Sequence, residues 1–242
     1  MLRTNDLTKK FGAVAAVNSL SIRLIPGKVT GLVGPNGSGK TTLVNLLSGI
    51  LRIDGGSVVV GAGSELRRLK PYRVASYGIT RTFQEVRLFE QMPVFDNVLV
   101  VLTPRSVAAS LSWRGERKRR EKAEQLLRQV GLWEKQSELA QSLSYGQRKL
   151  LEIARALAMN AEIYLFDEPF AGLFPEMVQA IARVVESLKQ EGKTIVLIEH
   201  DMAVIRRLAD HVIVMDEGKL LAEGAAAEVL ARRDVIEAYL GG

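Results

Sequence analysis

The sequence has no cysteine and only two histidines, His200 and His211, among its 242 residues. The lack of cysteine excludes thiolate catalysis, disulfide stapling and cysteine-ligated zinc. Two histidines leave little material for a transition-metal site. The lack of cysteine is also compatible with a reducing cytosol, although it does not require one.

Long apolar runs are missing as well. Residues 1–6 lack the apolar core of a secretion signal, and no uninterrupted apolar run approaches the ~20 residues that cross a bilayer. We therefore expect the chain to be cytosolic or peripheral to a membrane. With 47% apolar residues, it can bury a substantial core as one α/β domain with room for a subdomain.

The charge is modestly positive, at +6 from 33 basic and 27 acidic residues, which leaves ATP, anionic lipid headgroups and nucleic acid open as partners. A basic cluster precedes an apolar periodic segment, and together they predict a helix with one solvated face. A plain solvated helix is the first interpretation, and a surface near lipid headgroups or a membrane partner is the second. Nucleic acid comes third, because the run lacks interleaved aromatic residues. The basic residues are Arg114, Arg117, Lys118, Arg119, Arg120 and Lys122.

Hydrophobic periodicity and turn signals predict strands and helices around a helical insert. The predicted strands are 2–9, 19–24, 29–33, 57–60, 163–166, 194–198, 212–215 and 220–223, and the predicted helices are 42–48, 94–102, 117–130, 144–159, 175–191 and 226–240. The alternation in the second half indicates βαβ units and hence a parallel sheet. The stretch from 82 to 159 shows helical spacing without a persuasive strand.

A glycine-rich stretch links the strand at 29–33 to the helix at 42–48, and it reads Gly34-Pro35-Asn36-Gly37-Ser38-Gly39-Lys40-Thr41. Glycines let successive N–H groups turn toward phosphate oxygens, Lys40 can reach the outer phosphates, and Thr41 offers a hydroxyl to Mg2+. The stretch predicts a phosphate-binding loop, against the alternative of a glycine-rich turn that matches by chance. The expected nucleotide contacts are Gly34, Asn36, Gly37, Ser38, Gly39, Lys40, Thr41 and Thr42.

Two carboxylates follow an apolar strand. Asp167 and Glu168 come directly after residues 163–166, at the sheet edge where parallel sheets bind ligands. Asp167 can hold Mg2+, and Glu168 can polarise a water for attack on a γ-phosphate. Alone, the pattern also fits a simple strand-to-turn boundary. Paired with the phosphate loop, it predicts a site for phosphoryl transfer.

Two more residues have both a structural and a functional interpretation. Ser144 precedes a long helix as an N-cap, and the start of that helix offers free N–H groups to an anion. Phe11 lies between the first strands, where its ring can stack on adenine or fill a core or strand end.

Six motifs, in order, resemble those of ABC transporter ATPases, and the resemblance covers the whole chain. The resemblance implies an α/β fold of the P-loop NTPase (RecA-like) type, with a parallel sheet core, an N-terminal antiparallel β subdomain and an inserted helical subdomain. It implies one ABC ATPase domain over 1–242, with 1–84 and 161–242 as the core and 85–160 as the helical subdomain. The motifs are the Walker A loop Gly34–Thr41, the Q-loop Gln84, the signature Leu143–Gln147, the Walker B strand Ile163–Glu168, the D-loop Ala171–Leu173 and the switch His200.

The resemblance also implies ATP and Mg2+ as ligands. In the family two cassettes pack head to tail, so one cassette per chain implies a homodimer or a heterodimer. The implied catalytic residues are Glu168, His200 and Gln84, the metal-shell residues are Thr41, Gln84 and Asp167, the adenine-stacking ring is Phe11, and the signature residues that would contact the partner's nucleotide are Ser144, Gly146 and Gln147.

Two residues depart from the family pattern. The signature has Tyr145 where glycine is commonest, and Phe174 follows the D-loop where aspartate is usual. Tyr145 looks like a subgroup variant. Phe174 puts in doubt the usual polar contacts of the D-loop across the dimer.

Within the family, segments 79–84 and 198–202 and the tyrosine-containing signature are most similar to importer ATPases for branched-chain amino acids and related amides such as urea. That implies membrane permease subunits, a substrate-binding protein, a peripheral position at the cytoplasmic face of the cell membrane, and no nucleic acid. The alternatives are a lipopolysaccharide-export ATPase, similar at 168–172, a soluble ABC ATPase acting on nucleic acid or ribosomes, and a small-molecule phosphotransferase. The transported substrate cannot be read from these residues.

Overall fold

The computed structural model describes residues 1–61, 63, 65–104 and 113–240. The chain divides into two compact units. The first contains Met1–Arg81, Glu162–Glu168 and Val185–Gly242, and the second contains Thr82–Ala161 and Pro169–Val184.

The described elements follow the order of an α/β chain with a helical insert. The strands are β1 (Leu2–Phe11), β2 (Val14–Leu20), β3 (Arg23–Leu24), β4 (Val29–Val33), β5 (Gly55–Val60), β6 (Glu65–Leu66), β7 (Ile79–Arg81), β8 (Ile163–Asp167), β9 (Thr194–Ile198), β10 (His211–Asp216) and β11 (Lys219–Ala225). The helices are α1 (Lys40–Leu47), α2 (Val94–Leu102), α3 (Trp113–Gln129), α4 (Tyr145–Ala158), α5 (Pro175–Gln190), α6 (Met202–Leu208), α7 (Ala226–Val229) and α8 (Arg233–Leu240).

The first unit contains an antiparallel sheet at its N-terminal end. Its strand order is β2-β1-β5-β6, and β3 also pairs with β1. The register places Leu7 opposite Leu20 of β2 and Leu2 opposite Val60 of β5. Leu2, Leu7 and Leu20 are at most 1% exposed, so one face of this sheet is core. The predicted N-terminal antiparallel β subdomain is confirmed.

The same unit contains a six-stranded sheet in the order β11-β10-β4-β9-β8-β7. All neighbours from β10 to β7 are parallel, and only the edge strand β11 is antiparallel. Every residue of β4, β8 and β9 is buried, as expected for parallel strands covered on both faces. The predicted parallel core is confirmed, and the carboxyl ends of β4, β8 and β9 share one edge.

Helix α1 joins the two sheets into one core. Its apolar side chains belong to the same buried cluster as Leu2 and Leu7 of the antiparallel sheet and Leu165 and Val196 of the parallel sheet. Full burial of one such side chain contributes roughly 1.5–3 kcal/mol. The helix that follows the glycine-rich loop is therefore fixed in position. Its buried side chains are Leu43, Val44, Leu46 and Leu47.

The second unit is built from α2, α3 and α4, which bury Val98, Leu127 and Leu151 completely. The fully buried Asn97 holds the loop before α2. Its amide nitrogen donates to the carbonyls of Phe89 (3.0 Å), Met92 (3.2 Å) and Pro93 (3.1 Å), and its amide oxygen accepts the N–H of Phe89. The predicted helical insert is confirmed.

Helix α3 begins at Trp113, four residues before the predicted start. Arg117, Arg120 and Arg128 are exposed and pair with acids one turn away, Arg117 with Glu121 at 2.8 Å. Ala123, Leu126 and Leu127 are buried on the opposite side. The helix with one solvated face is confirmed, and the side chain of Arg114 lies outside the described part.

The predicted bounds of two elements are wrong. The strand at 19–24 is split into β2 and β3. Thr4 Oγ1 donates to Leu20 O and accepts the N–H of Ile22, so these two backbone groups bond to a side chain instead of to the backbone of a neighbouring strand. The helix at 226–240 is split into α7 and α8, because Ala231 N and Arg232 N donate to the carbonyls three residues back, which ends the first helix. The short strands β6 and β7 are missed, since two or three residues carry no usable periodicity.

Among the described helices, none combines the length and the apolar character needed to cross a bilayer.

A buried carboxyl ties α4 to the segment that contains Gln84. Glu152 is 8% exposed, and its carboxylate accepts the N–H of Phe83 at 3.1 Å and the N–H of Arg87. Burial raises the pKa of Glu152 from 4.5 to about 7, and the two backbone hydrogen bonds and the charges of Lys149 and Arg155 oppose this only in part.

We predict that this carboxyl makes stability depend on pH. Its folded pKa lies above its unfolded value, so its contribution is fully present below pH 4.5 and is lost as the pH rises through about 7. The free energy of unfolding of the native chain, minus that of Glu152→Gln, should fall by about 2 kcal/mol between pH 5 and pH 8. Denaturant unfolding at several pH values measures this difference.

The control is Glu134→Gln, which removes an exposed carboxylate from the same unit. If the native chain and Glu152→Gln gave parallel stability curves, Glu152 would not be the source of the pH dependence.

Candidate functional site

The glycine-rich loop connects the end of β4 to the start of α1, as the sequence predicts. Gly34 has φ +151°, and a Cβ there would lie 2.1 Å from the carbonyl oxygen of Met215. Gly39 has φ +99°, and a Cβ there would lie 2.2 Å from the carbonyl oxygen of Ala16. No other residue fits either position, because backbone is the obstacle in both. The loop is therefore held between β2 and β10.

The side chain of Lys40 lies inside this loop. Its Nζ donates to the carbonyl oxygens of Gly34 (2.7 Å) and Pro35 (2.9 Å) and lies 3.4 Å from Ser38 Oγ. Burial lowers the pKa of Lys40, and the nearby carboxylates Glu168 and Asp167 counteract this. An ammonium ion ringed by carbonyls is placed to exchange them for phosphate oxygens.

The other loop residues line an accessible rim. Asn36, Gly37 and Thr41 are exposed, Thr42 is half-buried, and Ser38 is buried. The exposed hydroxyl of Thr41 lies in the first turn of α1, beside the positive end of the helix. This rim can present backbone N–H groups and one hydroxyl to a phosphate chain.

The two carboxylates stand at the same edge of the sheet. Asp167 ends β8 and is 3% exposed, and its carboxylate accepts a 2.6 Å bond from Arg81 Nη2. Glu168 follows with φ +49°, a backbone conformation that costs a non-glycine residue about 1 kcal/mol or more. Its N–H donates to Ile198 O at 3.0 Å, which ties the end of β8 to the end of β9.

His200 meets Glu168 at this edge. Its Nε2 lies 2.9 Å from Glu168 Oε1, with the histidine side chain 47% exposed and the glutamate side chain 18% exposed. The two residues are 32 positions apart in the sequence, and the sequence analysis assigns both to one site. A carboxylate oriented by an imidazole can direct a water molecule toward a bound phosphate.

Phe11 is the last residue of β1, 50% exposed, with Lys9 Nζ 5.4 Å from its ring centre. It is a strand-end aromatic, one of the alternatives that the sequence leaves open. Its adenine-stacking role stays a prediction.

The signature segment lies in the second unit and caps α4. Gln147 N donates to Ser144 Oγ at 3.3 Å, and Ser144 N donates to Gln147 Oε1 at 3.0 Å, which is a complete capping box. A Cβ on Gly146 would lie 2.3 Å from Met177 Sδ and 3.1 Å from a methyl group of Leu173. Gly146 therefore allows the D-loop side of the unit to pack on α4, while Ser144 remains exposed.

The two departures from the family pattern also lie in this unit. Tyr145 is 51% exposed, and its ring is in contact distance of Gly172, where a Cβ would lie 3.4 Å away. Phe174 is 75% exposed. The signature tyrosine thus covers the D-loop glycine, and Phe174 presents an apolar ring to solvent.

The predicted site residues are distributed over both units. Gln84, which is exposed, belongs to the second unit, as do Ser144, Gly146 and Gln147. The first unit brings together the glycine-rich loop, Asp167, Glu168 and His200.

Sequence reasoning misses three residues that organise these segments, namely Arg81, Asn97 and Glu152. Arg81 lies within a segment quoted only for its subgroup resemblance. The other two lie inside predicted helices with no motif around them. A charged or amide residue on the apolar face of a predicted helix is the signal that could have found Glu152 and Asn97.

The chain is similar in sequence to known proteins. The model of the family "ABC transporter" matches residues 17–171, and that of "Branched-chain amino acid ATP-binding cassette transporter" matches residues 219–242. The high-affinity branched-chain amino acid transport ATP-binding protein BraF of Pseudomonas aeruginosa is 36% identical, over 100% of this chain and 98% of its own. The corresponding protein LivG of Escherichia coli is 35% identical with the same coverage.

Solved structures agree with this match. A nucleotide-free ATP-binding cassette from an ABC transporter superposes with a TM-score of 0.86 at 36% identity, covering 100% of this chain and 99% of that chain. The ADP conformation of an ATP-binding cassette of an ABC transporter gives 0.84 at 34% identity with the same coverage. The family predicted from six motifs is confirmed: the chain belongs to the ATP-binding proteins of the ABC transporter family, which bind nucleotide and hydrolyse ATP.

Proposed function

We propose that this chain is the ATP-hydrolysing subunit of an importer for branched-chain amino acids. The observation that carries the hydrolytic part is the 2.9 Å contact between Glu168 and His200, at the sheet edge where Lys40 is ringed by loop carbonyls. These groups supply a phosphate-binding cation and an oriented carboxylate within one unit. The names of the relatives support the transport part.

In this proposal the loop from Gly34 to Thr42 holds the phosphates of ATP. Lys40 releases its carbonyl contacts and places its charge on the outer phosphates, where charge builds up during phosphoryl transfer. Phe11 stacks on the adenine ring. The positive end of α1 adds to the attraction for the phosphates.

Hydrolysis then depends on Glu168 and His200. Glu168 accepts a proton from the attacking water, and His200 keeps the carboxylate oriented and contacts the γ-phosphate. Because Glu168 is held by its backbone bond to Ile198 and by His200, its carboxylate loses little freedom when the water binds.

We propose that Thr41 and Asp167 of the first unit belong to a Mg2+ shell, to which the family resemblance adds Gln84. All three offer oxygen atoms, which this hard cation prefers, and protein sites for it use one or two carboxylates together with substrate phosphates. The described residues contain no cluster of three or more histidine, cysteine, aspartate or glutamate side chains that could hold a metal by themselves. When bound, Mg2+ neutralises charge on the β- and γ-phosphates.

We further propose that residues 1–242 act as one ABC ATPase domain and that two cassettes pair head to tail, as a homodimer or with a second ABC ATPase. Ser144, Gly146 and Gln147 of one cassette would then close on the nucleotide of the other. The exposure of Ser144 at the start of α4 is compatible with this role.

Transport requires membrane partners. We propose permease subunits and a substrate-binding protein as those partners, with the chain bound peripherally at the cytoplasmic face of the membrane. The match of residues 219–242 to a model of branched-chain amino acid cassettes supports this substrate class over urea and related amides. The lipopolysaccharide-export, nucleic-acid and phosphotransferase alternatives are not retained.

Replacing Glu168 tests the hydrolytic assignment. Glu168→Gln should bind ATP as the native chain does, lose at least about 100-fold in ATPase rate, and accumulate as a closed dimer with ATP. Phosphate release, nucleotide titration and size-exclusion chromatography measure the three properties. The matched control is Glu162→Gln, an exposed carboxylate just before the same strand. Normal turnover by Glu168→Gln would remove Glu168 from the role of base.

The substrate class has its own test. In cells that make the chain with its partner subunits, Glu168→Gln should abolish energised uptake of labelled leucine, isoleucine and valine, while Glu162→Gln should not. Labelled urea is the comparison substrate. Loss of urea uptake with unchanged leucine uptake would assign the chain to the amide importers instead.

A further inference from the structure

Arg81 ends β7 with its side chain only 6% exposed. Its guanidinium points two ways. Nη2 donates to Asp167 Oδ2 at 2.6 Å, and Nη1 donates to Asn45 Oδ1 at 2.6 Å and to Ser48 Oγ at 3.1 Å. One planar side chain therefore bridges the carboxylate at the end of β8 and two polar residues of α1.

The bridge depends on features that only the fold supplies. β7 and β8 are parallel neighbours, with Arg81 opposite Leu165, two residues before Asp167. Helix α1 carries Thr41 in its first turn and Asn45 toward its end, and Ser48 is its C-cap residue. Arg81 thus connects the two elements of the first unit that hold the proposed metal-shell residues Thr41 and Asp167.

The ion pair between Arg81 and Asp167 matters for stability because both side chains are buried. Asp167 is 3% exposed, and an ionised carboxylate so far from water requires compensation by opposite charge and hydrogen bonds. Removing one partner of a buried pair is far more damaging than removing both. Arginine suits the position because its rigid fork can bond two groups in fixed directions, which a lysine cannot do.

We infer that Arg81 is a positioning residue for Asp167: it serves as counter-ion and holds the carboxylate in the orientation from which Asp167 joins the Mg2+ shell. This inference rests on the proposed metal role of Asp167. A divalent cation near Asp167 shares the carboxylate with Arg81 and is repelled by its charge. The native site therefore binds metal more weakly than a site without Arg81, in exchange for a fixed geometry.

The test uses the full chain saturated with ADP and follows thermal unfolding while Mn2+ is added. Arg81→Met should lower the unfolding temperature without metal by about 5–10 °C. Mn2+ should restore much of that loss, with half the effect reached at a concentration about tenfold lower than in the native chain. Arg81→Lys keeps the charge but not the fork, so it should lower the unfolding temperature while keeping the native Mn2+ concentration dependence.

Two further variants separate the inference from a general packing defect. The double variant Arg81→Met/Asp167→Asn should unfold at a higher temperature than Arg81→Met alone, because the buried charge that lost its ion-pair partner Arg81 is removed as well, and should lose the response to Mn2+. Lys189→Met breaks the 2.6 Å ion pair with Asp210 in the same unit and should lower stability without changing the Mn2+ dependence.

An unchanged Mn2+ dependence in Arg81→Met, with Asp167→Asn losing its response, would overturn the inference and leave the proposed metal role of Asp167 intact. If Asp167→Asn kept the native response, the metal role and the inference would both fall. If Arg81→Met did not fold, the double variant decides: its folding would support the pairing, and its failure to fold would overturn it.

Discussion

The burial of α1 is the constraint on which the nucleotide site depends. Four of its side chains fill the core between the antiparallel and parallel sheets, so the helix cannot move without exposing apolar surface of both. The glycine-rich loop is attached to its first turn, and backbone carbonyls of Ala16 and Met215 press against that loop at Gly39 and Gly34. The glycine-rich loop, which would be flexible on its own, is thus held in one conformation by its surroundings. This reduces the conformational entropy that the loop loses when phosphate binds.

The same helix is connected to the carboxylate of Asp167 through Arg81. The residues that Arg81 contacts lie at the C-terminal end of α1, while the phosphate-binding residues lie at its N-terminal end. Glu168 is fixed separately, through its backbone bond to Ile198 and its contact with His200. Asp167 and Glu168 are therefore held by different contacts. This agrees with the different tasks proposed for them, since Asp167 would hold a cation and Glu168 would direct a water molecule.

Much of the fold and of the candidate site is predictable from the sequence, because the motifs are contiguous. The loop Gly34–Thr41 and the strand before Asp167 carry their chemistry within a few residues, so fold class, family and most candidate residues follow from local patterns. Arg81, Asn97 and Glu152 act through partners 33 or more residues away, or through loop carbonyls, and no local pattern encodes such pairs. The split of strand 19–24 has the same origin, because the Thr4 side chain comes from a different strand.

The second unit shows how local stability and function share residues. Ser144 and Gln147 cap α4, and about two turns after Ser144 in the same helix Glu152 accepts the N–H of Phe83, next to Gln84. The signature and the Q-loop are therefore fixed to one helix, so a displacement of α4 carries both. In the first unit, α1 and Arg81 link the phosphate loop to Asp167 in a comparable way. In the proposed head-to-tail pair of cassettes, each unit therefore supplies a preassembled set of residues, and nucleotide binding does not have to order each residue singly.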